Sequence, residues 1–146
     1  MVNVEIVVPN NYNNEKGPRS WKTDLHALPS NVLPAYLHAL TPEDSGVTIT
    51  TSDLHNPNYN TRGDYVIISF ATANAPNAYN VAQEYKRRGK TVIFGGVHVN
   101  SLEKIGLLSE AEQFSDSVCL EEADIIWPII LGDILSGKLK KAYGGG

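Results

Sequence analysis

Residues 91–99 have the sequence Thr-Val-Ile-Phe-Gly-Gly-Val-His-Val, and they are the most informative part of the sequence for predicting the architecture. Thr91–Phe94 is a short apolar run rich in β-branched residues, which is typical of a buried strand. Gly95 and Gly96 then permit a tight turn. Asn100, with a glutamate three residues later, has the pattern of a capping box at the start of a helix. The order strand, glycine turn and helix predicts one unit of a parallel α/β sheet.

Four other apolar runs predict the remaining strands, and helical spacing predicts the segments between them. Five strands that alternate with helices predict a flavodoxin-like, doubly wound parallel sheet in the order 2-1-3-4-5, with helices on both faces in three layers. We expect residues 1–137 to form this domain and residues 138–146 to be a linker or tail. The other predicted strands are Val4–Val8, Val47–Thr51, Tyr65–Phe70 and Ser117–Leu120, and the predicted helices cover Asn31–Leu40, the residues after Asn74 and the residues from Glu121 to Gly137.

The composition is that of an ordinary globular domain. The chain has 146 residues, of which 42% are hydrophobic and 19% charged, and a formal charge of −4. A net negative charge disfavours nucleic acid as a partner. No apolar run is long enough to span a membrane, and the first residues lack the pattern of a secretion signal. We therefore expect a cytoplasmic protein that contacts neither nucleic acid nor membrane.

Open sheets of this kind bind ligands at the carboxyl ends of their strands, where the strand order reverses. Here that edge gathers the loops after Val8, Phe70, Phe94 and Leu120. The glycine turn offers main-chain amides below a helix N-terminus, but a tight turn needed only for packing would have the same sequence.

The sequence shows no catalytic or metal-binding motif. His98 has no second ligand at a metal-binding spacing, so no metal site is predicted. No nucleophile elbow and no Cys-His pair are visible, and we expect no catalytic residue in this chain. An independent enzyme with His98 or Glu122 as acid or base stays a remote alternative.

Three stretches of the sequence carry motifs that occur together in one protein family. Ile68–Thr72 with Asn77–Tyr79 is similar to the family's Ser-x-x-Thr segment and helix start. Arg88–Val99 is similar to its Arg-x-Gly, strand and Gly-Gly-x-His block, and Asp116–Pro128 to its aspartate, strand, acidic residues and tryptophan. In these stretches the chain resembles the amino-terminal cobalamin-binding domains of cobalamin-dependent radical SAM enzymes, and the resemblance covers almost the whole chain.

The resemblance implies a cobalamin-binding domain that serves a radical SAM barrel, in the same chain or in another subunit, for methyl transfer or related radical chemistry. It also implies that loops at one edge of the sheet enclose the cofactor. The implied cofactor-binding residues are Asn10, Ser69, Thr72, Ala73, Asn74, Gly95, Gly96, Val97, His98, Val99, Leu120, Glu121 and Glu122.

Two departures from the family pattern leave an alternative open. Glu121 stands where the family has glycine, and the loop that supplies a histidine ligand to cobalt is absent. Cys119 is the single cysteine, so this chain cannot hold the three-cysteine iron-sulfur cluster of radical SAM enzymes. The alternative is a degenerate, cofactor-free protein-interaction module of the same fold, and the chain is either an excised domain or a free-standing relative.

Overall fold

The structure is a computed structural model that describes residues 2–9, 28–120 and 123–145. Its centre is a parallel sheet in the order β2-β1-β3-β4-β5-β6. Strand β1 pairs with both β2 and β3, so the strand order reverses beside it. The strands are β1 Val2–Val8, β2 Val47–Asp53, β3 Tyr65–Ser69, β4 Thr91–Gly95, β5 Ser117–Cys119 and β6 Ala142–Tyr143.

The prediction of five strands is wrong by one, because β6 extends the sheet beyond β5. Tyr143 in β6 is buried, and its hydroxyl donates to Asp133 Oδ2 at 2.6 Å and accepts from the Lys140 amide at 2.9 Å. Burial and the neighbouring carboxylate raise the pKa of Tyr143 to about 12. A strand of two residues has no alternating pattern in the sequence, and β6 therefore lies within the segment that the sequence predicts to be a tail.

Helices cover both faces of the sheet, as the doubly wound architecture requires. One face carries α1 and α5, whose apolar side chains pack with Val4, Ile6 and Ile93. The other face carries α2 and α3, which pack with Val66, Ile68 and Phe94. The helices are α1 Leu28–Ala39, α2 Ala75–Arg87, α3 Val97–Lys104, α4 Ser109–Glu112 and α5 Ala123–Ser136, and a 3₁₀ turn covers Thr72–Asn74.

The start of α3 differs from the predicted one, whereas α2 starts where the sequence predicts. Helix α3 begins at Val97, with Gly96 as its N-cap residue, so Asn100 lies inside the helix and forms no capping box. The Asn100 side-chain amide instead donates to the Gly96 carbonyl at 2.8 Å. Asn74 does occupy the N-cap position of α2, but its side chain makes no capping hydrogen bond. Among the described residues, no helix has the length and apolar character needed to cross a lipid bilayer.

Candidate functional site

A cleft of about 830 Å³ opens at the carboxyl edge of the sheet, where β3, β4 and β5 end. Ser69, Gly95 and Cys119 lie at the ends of these three strands and line the cleft. The volume lies within the range of about 300–1,000 Å³ that is usual for small-molecule sites. The position is the one expected for a ligand on an open parallel sheet.

The cleft has two chemically different sides. Its apolar side consists of Leu33, Tyr36 and Leu37 from α1 and Ile126, Trp127 and Ile130 from α5. Its polar side is the face of α3 that carries Asn100, Ser101 and Lys104. Trp127 is almost fully buried, and its indole N–H donates to Thr41 Oγ1 at 2.8 Å, which fixes α5 against the end of α1. The apolar side is therefore a rigid surface suited to a large apolar ligand face.

Gly95 leaves the strand end open. A Cβ added to Gly95 would meet only the Cys119 Cβ, at 3.8 Å, which is ordinary van der Waals contact. A side chain at this position would therefore point into the cleft without disturbing the backbone. The absence of a side chain keeps this part of the cleft free.

Gly96 has a different role, which is internal to the fold. Its φ of 101° lies in the region that favours glycine. A Cβ at Gly96 would lie 2.6 Å from the Phe70 carbonyl oxygen and 2.8 Å from the Phe70 nitrogen. The Phe70 amide donates to the Gly95 carbonyl at 3.2 Å, and the His98 amide donates to the Phe70 carbonyl at 3.4 Å. The turn is thus held tightly against the residue that follows β3.

His98 is buried behind the turn, at the inner end of a partly exposed hydrogen-bond network. Its Nδ1 is 3.1 Å from Thr72 Oγ1, and its Nε2 is 3.1 Å from Glu110 Oε2 and 3.0 Å from the Tyr79 hydroxyl. The Tyr79 hydroxyl donates to Glu110 Oε2 at 2.5 Å. Side-chain hydrogen bonds from Tyr79 and His98 lower the pKa of Glu110, while burial, together with Glu110, raises the pKa of Tyr79. The network connects α2, α3, α4 and the 3₁₀ turn.

The structure divides the sequence-predicted site residues between the cleft and its surroundings. The network holds Thr72 and His98, Val99 is fully buried in the core, and Ala73 and Asn74 lie in the 3₁₀ turn. Asn10, Glu121 and Glu122 lie outside the described residues. Of the predicted site residues, those that line the cleft are Ser69, Gly95, Gly96, Val97 and Leu120.

Sequence reasoning missed the side walls of the cleft. Tyr36, Trp127 and Lys104 line it but were given no role. The sequence predicts their helices from apolar spacing and capping residues, and these patterns do not show which face of a helix borders a cavity. Within residues 2–9, 28–120 and 123–145, no group of three His, Cys, Asp or Glu side chains could hold a metal ion.

Comparisons with known proteins connect the chain to methyltransferases. It is 33% identical over 108 residues to the bacteriochlorophyllide d C-8(2)-methyltransferase of Chlorobaculum tepidum, a match that covers 73% of this chain and 23% of that protein. It is 38% identical over 80 residues to the bacteriochlorophyllide d C-12(1)-methyltransferase of the same organism, which covers 55% of this chain and 16% of that protein. No protein-family model and no solved structure matches. The chain is thus homologous to a segment, less than a quarter of the length, of two bacteriochlorophyllide methyltransferases.

Proposed function

We propose that this chain is a cobalamin-binding domain and that it serves a radical SAM methyltransferase whose reaction takes place on a separate domain or subunit. The single observation that carries the proposal is the cleft at the carboxyl ends of β3, β4 and β5, which the Gly95 position leaves open. The resemblance of Arg88–Val99 to cobalamin-binding domains and the methyltransferase homologues support the same assignment.

The residues of the cleft fit a large ring-shaped cofactor. The open strand end at Gly95 lets a wide ligand approach the edge of the sheet, and Ile126, Trp127 and Ile130 offer an apolar surface against it. Ser69 and the backbone of the turn at Gly96 and Val97 would hold its polar edge. Cobalamin, when bound, supplies a cobalt centre that carries a methyl group.

This chain would bind and orient the cofactor without performing the radical step. With one cysteine in the sequence, the three thiolates that hold an iron-sulfur cluster must come from elsewhere. The partner in the proposal is therefore a radical SAM barrel, and the substrate of the complete system is bound there.

Filling the cleft at Gly95 tests the proposal. We expect hydroxocobalamin to bind the wild-type protein with a shift of its visible spectrum, and Gly95→Leu to bind at least tenfold more weakly, because the leucine side chain would occupy the cleft. Titration monitored by visible absorbance gives both dissociation constants. Circular dichroism and thermal melting establish that the variant is folded.

Gly132→Leu is the matched control, because Gly132 in α5 is exposed and a Cβ there meets nothing within 4 Å. It should bind cobalamin as the wild type does. A wild-type protein that leaves the spectrum of cobalamin unchanged would contradict the proposal and favour the cofactor-free interaction module. Equal binding by Gly95→Leu would show that cobalamin uses another surface.

A further inference from the structure

The polar side of the cleft carries a positively charged side chain, Lys104, which belongs to α3. Asn100, Ser101 and Lys104 follow one another at helical spacing along the face of α3 that borders the cleft. Of the lysine and arginine side chains that the structure describes, Lys104 is the one that lines the cleft. A cationic group therefore faces the apolar side formed by α1 and α5.

Lys104 has no partner among the described residues, unlike the basic residues at the end of α2. Lys86 pairs with Asp116, and Arg87 and Arg88 both pair with Glu84. In contrast, no hydrogen bond or ion pair connects Lys104 to the described part of the chain, and its side chain is exposed. A positive charge at the last turn of α3 also complements the helix dipole, so a purely structural role has to be distinguished experimentally.

We propose that Lys104 recognises an anionic group of the ligand, and that this group is a phosphate on a ligand that also has an apolar part. The apolar side of the cleft cannot satisfy a phosphate, since burying an unpaired charge is strongly unfavourable. The α3 side can, because a lysine ammonium binds phosphate as a point charge and Ser101 adds a hydroxyl. The ligand consequently lies with its phosphate against α3 and its apolar body against α1 and α5.

The inference rests on the proposed function and refines it. Applied to cobalamin, it places the phosphate of the nucleotide tail, and not the corrin ring, beside Lys104. The effect of Lys104 must then depend on whether the ligand carries that phosphate. Cobinamide offers the comparison, because it has the same corrin ring but lacks the nucleotide tail and its phosphate.

The experiment measures the dissociation constants of cobalamin and cobinamide for the wild type, Lys104→Gln and Lys104→Arg by visible absorbance at low salt. We expect Lys104→Gln to bind cobalamin at least about tenfold more weakly, which is the lower end of the effect of one hydrogen bond to a charged group, and to bind cobinamide as the wild type does. Lys104→Arg, which keeps the charge, should retain most of the affinity. The loss in Lys104→Gln should shrink as salt is raised.

Lys138→Gln is the control for net charge, because Lys138 is exposed and does not line the cleft. Lys138→Gln should change neither the dissociation constant of cobalamin nor that of cobinamide. Equal losses for cobalamin and cobinamide, or no loss in Lys104→Gln, would overturn the inference while leaving the cobalamin proposal intact. A wild-type protein that binds neither compound would instead overturn the proposed function.

Discussion

Gly95 and Gly96 are neighbours in the sequence, but the two glycines are needed for different reasons. Gly95 lies at the end of β4, and its missing side chain keeps the cleft open. Gly96 has a positive φ and lies against the backbone of Phe70, so its missing side chain lets the turn close. The open cleft and the closed turn therefore depend on two different, adjacent glycines.

Replacing Gly96 by alanine should destabilise the fold strongly. The new Cβ would meet backbone atoms of Phe70 at 2.6 and 2.8 Å and would also force an unfavourable φ, so we expect the free energy of unfolding to fall by roughly 2–4 kcal/mol. Gly106→Ala is the control, because Gly106 has a φ of 75° but nothing lies within 4 Å of its added Cβ. The control should lose only about 1 kcal/mol. Urea denaturation measures both values, and equal losses would show that the Phe70 contact is unimportant.

The sequence predicts the glycine turn but not the direction of the side chain that follows it. The strand and glycine pattern identified Gly95 and Gly96 as part of one edge of the sheet. His98 was predicted to contact the ligand, whereas the structure places it behind the turn, within reach of Thr72, Tyr79 and Glu110. These partners come from distant segments, and no local pattern of residue types reports which of them a histidine will meet.

Among the secondary-structure elements, the network around His98 connects four that are separate in the sequence. Tyr79 belongs to α2, His98 to α3, Glu110 to α4, and Thr72 to the turn after β3. Helix α4 has only four residues and buries Ala111, so few contacts of its own hold it in place. The Glu110 carboxylate is therefore an important anchor of α4 to the rest of the domain.

The contribution of Glu110 should depend on pH in a defined direction. Because the hydrogen bonds from Tyr79 and His98 lower its folded pKa, Glu110 stabilises the fold above its unfolded pKa of about 4.3, and this stabilisation is lost as pH falls through the folded pKa. We expect Glu110→Gln to be less stable than the wild type near neutral pH, and the difference to narrow below about pH 4. Urea denaturation at several pH values measures the difference in the free energy of unfolding between Glu110→Gln and the wild type.

Glu112→Gln serves as the control, because Glu112 is exposed on the same short helix. Its difference from the wild type should be small and should not change across this pH range. A difference for Glu110→Gln that stays constant down to pH 3 would rule out an ionised Glu110 as the stabilising group.

In the whole molecule, the sheet has one strand more than the sequence predicts. Five strands, their parallel direction and their order follow from apolar runs alternating with helices. The sixth strand cannot be predicted in this way, because β6 is held in place by the contacts of Tyr143 with distant residues. The sequence around it is rich in lysine and glycine. The Val118 amide donates to the Lys141 carbonyl at 3.0 Å and the Leu120 amide to the Tyr143 carbonyl at 2.7 Å, so β6 pairs with β5 beside the cleft.

Removal of β6 tests whether the last residues belong to the domain. Ending the chain after Gly137 deletes buried Tyr143 and its bond to Asp133, and we expect the free energy of unfolding to fall by about 2 kcal/mol or more. Ending it after Tyr143 keeps β6 and should have little effect. Chemical denaturation compares the two chains, and an unchanged stability of the chain that ends after Gly137 would assign residues 138–146 to a tail.

The parallel direction of β6 has a practical consequence for anyone who handles this protein. Strand β1 starts at the amino edge of the sheet, whereas β6 delivers the chain to the carboxyl edge, where an added Cβ at Gly145 would lie 2.9 Å from Leu120 Cδ1. Leu120 lines the cleft. An affinity tag or fluorescent label attached after Gly145 would therefore stand beside the cleft, and one attached before Val2 would emerge from the opposite edge of the sheet.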